Sequence, residues 1–487
     1  MLATRFETLA GATPAGVAEV FALVDGFDDA LVEGLGRLDA VRGDALDALA
    51  GAVATTPMGP TVRDAAETIL AGSVTDDALV ALAGARTAVL GAAHDALLVA
   101  FDAALGRARS AWGPAGEPGP APLPPGWGPA LAGCRSWLRE LAIAGWRGVD
   151  EDLVSSSAQA RQAALVEPGL RRLAVLLDGM AAELRASGPV GLMSSPPVRR
   201  WGDLWARAQL LAWRGDWPPA GPVGGEPAGA VSGRLLVLGA EVAEHDTAAR
   251  LRVHAILEPA ADGGTDGRPR LVRAGVTVAK VDTLVGPALW RLLEGYPVLL
   301  GALAGHRALE IADMALLGSG DLVWREDAAR LGDAADPFVT ARVRLAEAVA
   351  AASGPLDRHP VRIAEPVLLE GYTTTWDEAA RTLTFDLAGA SVVVEADPVV
   401  DPASSLGPLT PALLASSSAC LGLLRWDDDQ WWLRPLAAQA IVKKKPVTAH
   451  AGDWALGGTD PKIAKARAKN GDAVAVLRER AGRLLRR

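Results

Sequence analysis

The chain has 487 residues, half of them hydrophobic, and a formal net charge of −10. This length is enough for roughly two or three domains, and the apolar content excludes a chain that is disordered throughout. Two cysteines, Cys134 and Cys420, lie far apart and form no CxxC pair, so they argue against a disulfide scaffold or a structural zinc site and favour a reducing cytoplasm. The N-terminal residues lack the apolar core of a signal peptide, and the most apolar windows contain charged residues. We therefore expect no transmembrane helix.

The net charge is divided unevenly along the chain. Residues 440–487 contain twelve Lys/Arg and four Asp/Glu, a balance of +8, which leaves −18 for residues 1–439. Of the seven lysines, only Lys280 precedes the last 45 residues, whereas arginine occurs throughout. The C-terminus is therefore a basic segment attached to an acidic body.

Residues 1–111 carry apolar side chains at helical spacing and are predicted to be helical. Thr13-Pro14 is the expected start of an early helix, and the glycines that follow residue 29 are expected to break a helix near Gly43. Thr75, which precedes two aspartates, predicts the capped start of a long helix that reaches about Arg109.

A stretch rich in proline and glycine, residues 112–129, is predicted to be a linker. Helical spacing returns in residues 130–217, and a second Pro/Gly-rich break follows at 220–233. These boundaries predict two helical regions in the N-terminal half.

In residues 233–439 the spacing of apolar residues changes from the helical period towards the alternation typical of strands. We interpret this region as an α+β domain. The polar segment AEHDTA is expected to be the turn of a hairpin, residues 367–397 a three-stranded meander, and residues 337–352 a helix opened by Asp336-Pro337. Residues 440–487 are interpreted as a basic tail with a C-terminal helix. The predicted class is a multidomain α+β fold with a helical N-terminal half and a C-terminal half of mixed antiparallel sheet and helix.

Familiar catalytic motifs are absent from the sequence. It has no GxxxxGK[ST] phosphate loop, no HExxH, no GxSxG and no EF-hand pattern, and its six histidines do not cluster at metal-ligand spacings. His245-Asp246 with Glu241 and Glu244 is the most polar local group of the second half, with either an acid–base or metal-binding role or a place in a solvated turn. We accordingly assign no catalytic residue, no metal ligand and no cofactor.

The segment RRWGDLWARAQLLAW places Trp201 and Trp205 four residues apart on one helix face. One interpretation is an aromatic anchor for a protein partner, flanked by Arg199 and Arg200. The other is a helix that docks on the core of its own domain, because two indoles can bury roughly 150–250 Å² each.

The segment LRWDDDQWWLRPL predicts a hairpin with a four-residue loop at 427–430. This loop pairs Trp426 with Trp431, Leu424 with Leu433, and Arg425 with Trp432 across the strands. The three aspartates can be a solvated turn or attract a divalent cation, although they lack the spacing of an EF-hand.

The basic segment begins directly after this hairpin. Lys443, Lys444 and Lys445 are followed by Lys462, Lys465 and Lys469, which share one stripe of a helix expected from residue 460 onward. Three roles are open: binding to nucleic-acid phosphates, docking on an acidic protein surface, or keeping the chain soluble.

The segments 199–213 and 421–437 resemble proteins that GC-rich bacteria encode beside MoxR-type AAA+ ATPases and von Willebrand A-domain proteins. The resemblance covers less than a tenth of the chain, and it carries over no catalytic residue. The CxC and CxH ligands of the SWIM zinc fingers found in such gene clusters are lacking. The resemblance implies an accessory protein that acts with an ATPase.

Together these features predict a cytoplasmic, non-enzymatic adaptor or regulatory component of a bacterial multi-protein system, with no membrane contact. Its expected partners are proteins, among them a MoxR-type ATPase or a von Willebrand A-domain protein. Two alternatives remain: a nucleic-acid-associated protein that uses the basic tail, and an enzyme with a distributed active site, such as a hydrolase in the helical half.

Overall fold

The computed structural model describes most of the chain. The described residues are 3–11, 13–112, 123–124, 126–214, 227–244, 248–260, 267–280, 286–387, 389–395 and 406–457. The predicted C-terminal helix, including Lys462, Lys465 and Lys469, lies outside them, as do His245-Asp246 and most of the predicted linker.

The N-terminal half is a bundle of helices. They are α1 Ala3–Ala10, α2 Val17–Glu33, α3 Ala40–Ala52, α4 Gly59–Leu70, α5 Asp76–Leu105, α6 Trp127–Ala144, α7 Glu151–Val166, α8 Arg171–Ala186 and α9 Val198–Arg214.

Of the three helix boundaries predicted within residues 1–111, one is right and two are wrong. The Thr75 side chain accepts a hydrogen bond from the backbone of Ala78 and caps α5, as expected. Helix α2, however, begins at Val17 rather than at Pro14. Gly43 lies buried inside α3, and the chain breaks earlier, at Gly34. A Cβ on Gly34 would meet backbone atoms at the C-terminal end of α6 and of Gly145, so close packing of two backbone segments sets this break.

Helix α5 is the one described helix that is long and apolar enough to cross a membrane, by length and composition. In the structure it packs against α2, α4 and α9, and it carries Arg86 and His94 among its buried residues. A buried arginine with a carboxylate partner belongs to a protein core, so packing in the bundle accounts for the apolar composition of α5.

The first sheet closes on itself. Its strands are β1 Pro227–Glu244, β2 Ala248–Pro259, β3 Arg270–Ala279, β4 Arg307–Leu317, β5 Asp321–Leu322 and β6 Ala329–Ala334. The pairing order is β1-β2-β3-β5-β4-β6, and β4 also pairs with β1. The predicted hairpin around residues 245–247 is confirmed by the antiparallel β1–β2 pairing.

Short helices surround this sheet. They are α10 Leu289–Leu292, α11 Pro297–Ala304 and α12 Pro337–Arg344. The Asp336 side chain caps α12 through the backbone N–H groups of Phe338 and Val339, as its Asp-Pro signal indicates. The helix ends at Arg344 rather than at Ala352, because the chain then turns and Val349 and Ala350 bridge to Arg270 and Arg109.

The second sheet contains the tryptophan hairpin. Its strands are β7 Ala364–Glu370, β8 Thr373–Asp377, β9 Thr382–Leu387, β10 Ala390–Val394, β11 Ser417–Asp427, β12 Gln430–Val442 and β13 Lys445–His450, with helix α13 Pro411–Ala415 before β11. The order is β7-β11-β12-β10-β9-β8, and β13 also pairs with β12.

The predicted meander is confirmed for β8, β9 and β10. The segment predicted as its first strand, however, forms two separate strands, β7 and β8. Gly371, with φ 73°, turns the chain between β7 and β8. Strand β7 then pairs with β11, and β8 pairs with β9.

The hydrophobic cores do not divide at the boundary between the helical half and the strand-rich half of the chain. One core contains side chains of the bundle together with those of the second sheet, and the Phe101 ring of α5 lies 6.1 Å from the Trp431 ring of β12. A second core fills the first sheet, and a third, with Leu238 and Leu421, lies between the two sheets. The α+β class, helical first and mainly antiparallel afterwards, is confirmed.

Candidate functional site

The tryptophan hairpin has the predicted register. Strands β11 and β12 pair Trp426 with Trp431, and the two rings meet edge to face at 5.1 Å. The turn is tighter than the four-residue loop expected, because Asp427 pairs with Gln430 and only two aspartates, at φ 47° and 57°, form the bend. Both indoles are buried in the shared core. The aspartates therefore mark a turn, and the tryptophans hold the sheet to the bundle.

The three consecutive lysines lie in a second tight turn. Lys443 and Lys444, with φ 50° and 64°, connect β12 to β13, and Lys445 begins β13 opposite Val442. All three are exposed, and no ion pair or hydrogen bond between described side chains involves them. The neighbouring Ile441 is 66% exposed. The lysines are thus presented at the tip of a hairpin rather than at the start of a tail.

The structure corrects the interpretation of Trp201 and Trp205 as a partner anchor. Both indoles are fully buried, and the Trp205 N–H donates to the Leu138 carbonyl at 3.1 Å. Their flanking arginines form ion pairs within the bundle, Arg199 with Asp25 on α2 and Arg200 with Glu183 on α8. This helix docks on its own core, since the indoles leave no apolar surface for a partner.

A buried ion pair lies close to these arginines. The Asp28 carboxylate accepts two hydrogen bonds of 2.7 Å from Arg86, and both side chains are almost completely buried. Burial raises the pKa of Asp28 to about 6 although Arg86 opposes this shift. Burial opposes the charge on Arg86, but Asp28 outweighs it and raises the pKa of the guanidinium. Both groups are therefore charged at neutral pH.

Helix α5 also contributes to a serine–histidine–aspartate arrangement. The Ser353 hydroxyl lies 3.3 Å from His94 Nε2, and His94 Nδ1 lies 2.9 Å from Asp95 Oδ1. Burial opposes ionisation of Asp95, but the hydrogen bond from His94 and the charge of Arg358 outweigh it and lower the pKa of this carboxyl. The order of contacts is that of a nucleophile, a base and an orienting acid.

Three further polar residues meet beyond the lysine turn. His306 precedes β4, His450 ends β13, and Asp453 lies in the turn that follows. Nitrogen and oxygen ligand atoms of the three side chains all lie within 4.8 Å of one another. His306 Nε2 lies 2.8 Å from Asp453 Oδ1, and His450 Nδ1 lies 3.4 Å from the same oxygen. We call these three residues the His/Asp cluster.

Local backbone structure fixes two members of this cluster. The backbone N–H of His450 donates to Asp453 Oδ2 at 2.9 Å, so the aspartate folds back over its own turn. His306 follows the C-terminus of α11 with φ 47°, a left-handed conformation that glycine usually supplies. A non-glycine residue there costs about 1–2 kcal/mol, and the imidazole of this residue lies against Asp453.

The cluster is electrostatically asymmetric. The hydrogen bond to Asp453 raises the pKa of His306. Burial opposes ionisation of Asp453, but the hydrogen bonds from the His306 ring and from the backbone N–H of His450 outweigh it and hold its pKa well below the usual range. The His450 side chain is buried, and neither of its ring nitrogens makes a hydrogen bond of normal geometry with any described residue. It therefore needs an additional partner.

Two other histidines are buried beside carboxylates. Burial is the largest influence on each and lowers both pKa values, that of His359 to about 4 despite the nearby Asp203, and that of His254 despite Glu241. Each is neutral at pH 7 and serves the packing of the interior.

Comparison with protein-family models, with curated proteins and with solved structures finds no match to this chain. The resemblance to proteins encoded beside MoxR-type ATPases therefore stays a prediction.

Sequence reasoning did not find the His/Asp cluster. His306 and His450 are separated by 144 positions, and only the fold brings them together. One local signal existed, because His450 and Asp453 are three residues apart in HAGD.

Proposed function

We propose that this protein is a cytoplasmic, non-enzymatic adaptor or regulatory component of a bacterial multi-protein system. It docks on an acidic surface of a protein partner through the hairpin turn that contains Lys443, Lys444 and Lys445. The observation that supports this proposal is the presentation of three exposed lysines, with no described carboxylate paired to them, on a body whose residues 1–439 carry −18.

A tight turn suits this role for a physical reason. Two of the three lysines are held in the left-handed region by the pairing of β12 with β13, so the backbone loses little freedom on binding. Charges at the edge of an interface mainly raise the association rate and select the partner. The acidic body repels the dense, continuous negative charge of a nucleic-acid backbone more strongly than a local acidic patch on a folded protein, which favours a protein partner.

The proposed partner is a MoxR-type ATPase or a von Willebrand A-domain protein, the classes implied by the resemblance of residues 199–213 and 421–437. The adaptor would contact such a partner through the lysine turn and the adjacent exposed Ile441.

The test is binding of the purified full chain to the purified MoxR-type ATPase of the same genome, measured by biolayer interferometry at two salt concentrations. The variant K443E/K444E/K445E should bind at least about tenfold more weakly than the unchanged chain, and salt should weaken binding of the unchanged chain.

A matched control, R37E/R63E/R185E, reverses the charge of three exposed arginines of the bundle. It changes the net charge by the same amount as K443E/K444E/K445E but at a distance from the turn, so the affinity for the ATPase should stay within about twofold. Equal losses in both variants would refute the proposal. Tight, salt-dependent binding to duplex DNA that K443E/K444E/K445E abolishes, without binding to the ATPase, would support the nucleic-acid alternative instead.

A second candidate function is acyl transfer or hydrolysis at Ser353, favoured by the chain of contacts through His94 and Asp95. In such a reaction Ser353 Oγ would attack a carbonyl carbon and pass its proton to His94 Nε2, and the leaving group would take up that proton. Covalent labelling by a fluorophosphonate probe, lost in S353A and H94N but retained in S416A, would establish this activity. Absence of labelling in the unchanged chain would exclude it.

A further inference from the structure

The His/Asp cluster combines three donors from separate parts of the fold. His306 comes from the end of α11, whereas His450 and Asp453 come from the end of β13 and its following turn. The two histidine rings lie 4.0 Å apart between their centroids. Imidazole nitrogen and carboxylate oxygen are donors that zinc accepts together, whereas calcium and magnesium favour sets made of oxygen alone.

The spacing of the donors agrees with one shared ion. Zinc lies about 2.0–2.2 Å from nitrogen and oxygen ligands, so two ligands of a tetrahedral site are about 3.3 Å apart. In the structure the Asp453 oxygen is 2.8 Å from His306 Nε2 and 3.4 Å from His450 Nδ1. An ion can be held by all three through small side-chain movements.

Burial of His450 supplies an independent observation. His450 is 4% exposed, and within the part of the chain that the structure describes both of its ring nitrogens lack a hydrogen-bond partner of normal geometry. Buried polar atoms in folded proteins are nearly always satisfied. A metal ion at Nδ1 satisfies one of these nitrogens and replaces the long contact to Asp453.

We propose that His306, His450 and Asp453 bind one divalent transition-metal ion, with zinc the best fit to the donor set. The side chains of His306 and Asp453 are 38% and 25% exposed, so one side of the ion faces solvent. Three protein ligands leave a fourth position for water or for a donor from a partner. This inference is independent of the proposed adaptor function, because the lysine turn is not among the ligands.

Bound metal would connect two parts of the fold. Strand β13 belongs to the second sheet, whereas α11 packs on β4 and β6 of the first. Gly452 lies so close to α11 that a Cβ there would be 2.9 Å from Leu303 Cβ. An ion between His306 and His450 would strengthen this contact and fix the strand that follows the lysine turn.

The test uses the full chain, freed of metal with EDTA and dialysed, and titrated with zinc chloride by isothermal titration calorimetry. We expect one zinc ion per chain and a higher melting temperature with zinc, because an ion that binds only the folded state stabilises it. Cobalt substituted for zinc should give visible absorption bands of a four- or five-coordinate ion.

The decisive variants are H306G and D453N, which should each weaken zinc binding by at least about tenfold. Glycine suits the left-handed backbone at residue 306, so H306G should remain folded even if a change at His450 does not. The control H359Q alters a buried histidine away from the cluster and should bind zinc like the unchanged chain.

The proposal would be overturned if the unchanged chain does not bind one zinc ion. It would also be overturned if H306G binds zinc with the same affinity as the unchanged chain. If D453N lowers the melting temperature while no variant binds zinc, the cluster is a histidine–aspartate ion pair only. Binding to the ATPase in the presence of EDTA would leave the adaptor proposal standing in that case, so the two can fail separately.

Discussion

The buried pair of Asp28 and Arg86 should dominate the stability of the helical bundle. Asp28 on α2 and Arg86 on α5 are 0% and 1% exposed, and two hydrogen bonds of 2.7 Å join them. Gly202 of α9 lies against the carboxylate, since a Cβ there would be 2.5 Å from Asp28 Oδ1. The carboxylate is therefore packed closely against the backbone of α9.

The substitution Asp28→Asn keeps the shape but removes the negative charge. It leaves the Arg86 guanidinium buried without a counter-ion, which should lower the free energy of unfolding by about 3–5 kcal/mol. The control Asp25→Asn is on the same helix and breaks the pair with Arg199, whose side chains are 43% and 42% exposed. Solvent screens this pair, so its loss should cost only about 0–1 kcal/mol.

Urea unfolding followed by far-ultraviolet circular dichroism measures both changes at pH 7. The D28N midpoint should fall clearly below that of D25N, and adding Arg86→Met to D28N should recover part of the loss because the unpaired charge is gone. Equal midpoints for D28N and D25N would refute this reasoning, since burial would then make no difference.

Three further changes test other parts of the structure. Trp431→Ala should lower the free energy of unfolding by about 3–5 kcal/mol, as for other buried tryptophans, and the partly exposed Trp432→Ala should cost less; equal losses in urea would contradict the hairpin packing. Asp429→Gly should raise that free energy by about 0.5–1 kcal/mol because glycine adopts φ 57° without strain, and a lower urea midpoint would count against the turn. Because the pKa of His359 is about 4 when folded and 6.5 when unfolded, the unfolded chain takes up the proton first as the pH falls between these values. Stability should therefore drop by up to about 3 kcal/mol across that window relative to H359Q, and parallel curves for the two proteins would exclude this contribution.

Short-range features of this fold could be predicted from the sequence. The register of Trp426 with Trp431 follows from the position of the turn residues between two strands, and the cap at Thr75 follows from three neighbouring residues. Both depend on contacts within one hairpin or one helical turn, where the spacing of residue types is sufficient.

Features that depend on tertiary contacts could not be predicted from the sequence. The burial of Trp201 and Trp205 depends on the positions of α8 and α6, so periodicity favours a core helix but does not by itself exclude an anchor. Strand β13 was hidden because KKKP resembles a solvated tail, and Pro446 cannot donate to a sheet. An edge strand tolerates it, since β13 has only β12 as a neighbour among the described strands.

The segment after the lysine turn contacts both sheets of the C-terminal half. It pairs with β12 as β13, passes His450 under the Phe338 ring of α12 at 6.0 Å, and places Ala455 in the core of the first sheet. One short segment thus contacts both sheets, and the His/Asp cluster lies where it crosses from one to the other. A ligand on the cluster would therefore act on the contact between the sheets, whereas a partner on the lysine turn would act on the opposite end of β13. Since a six-residue strand separates the two positions, each can be changed by substitution while the other stays intact.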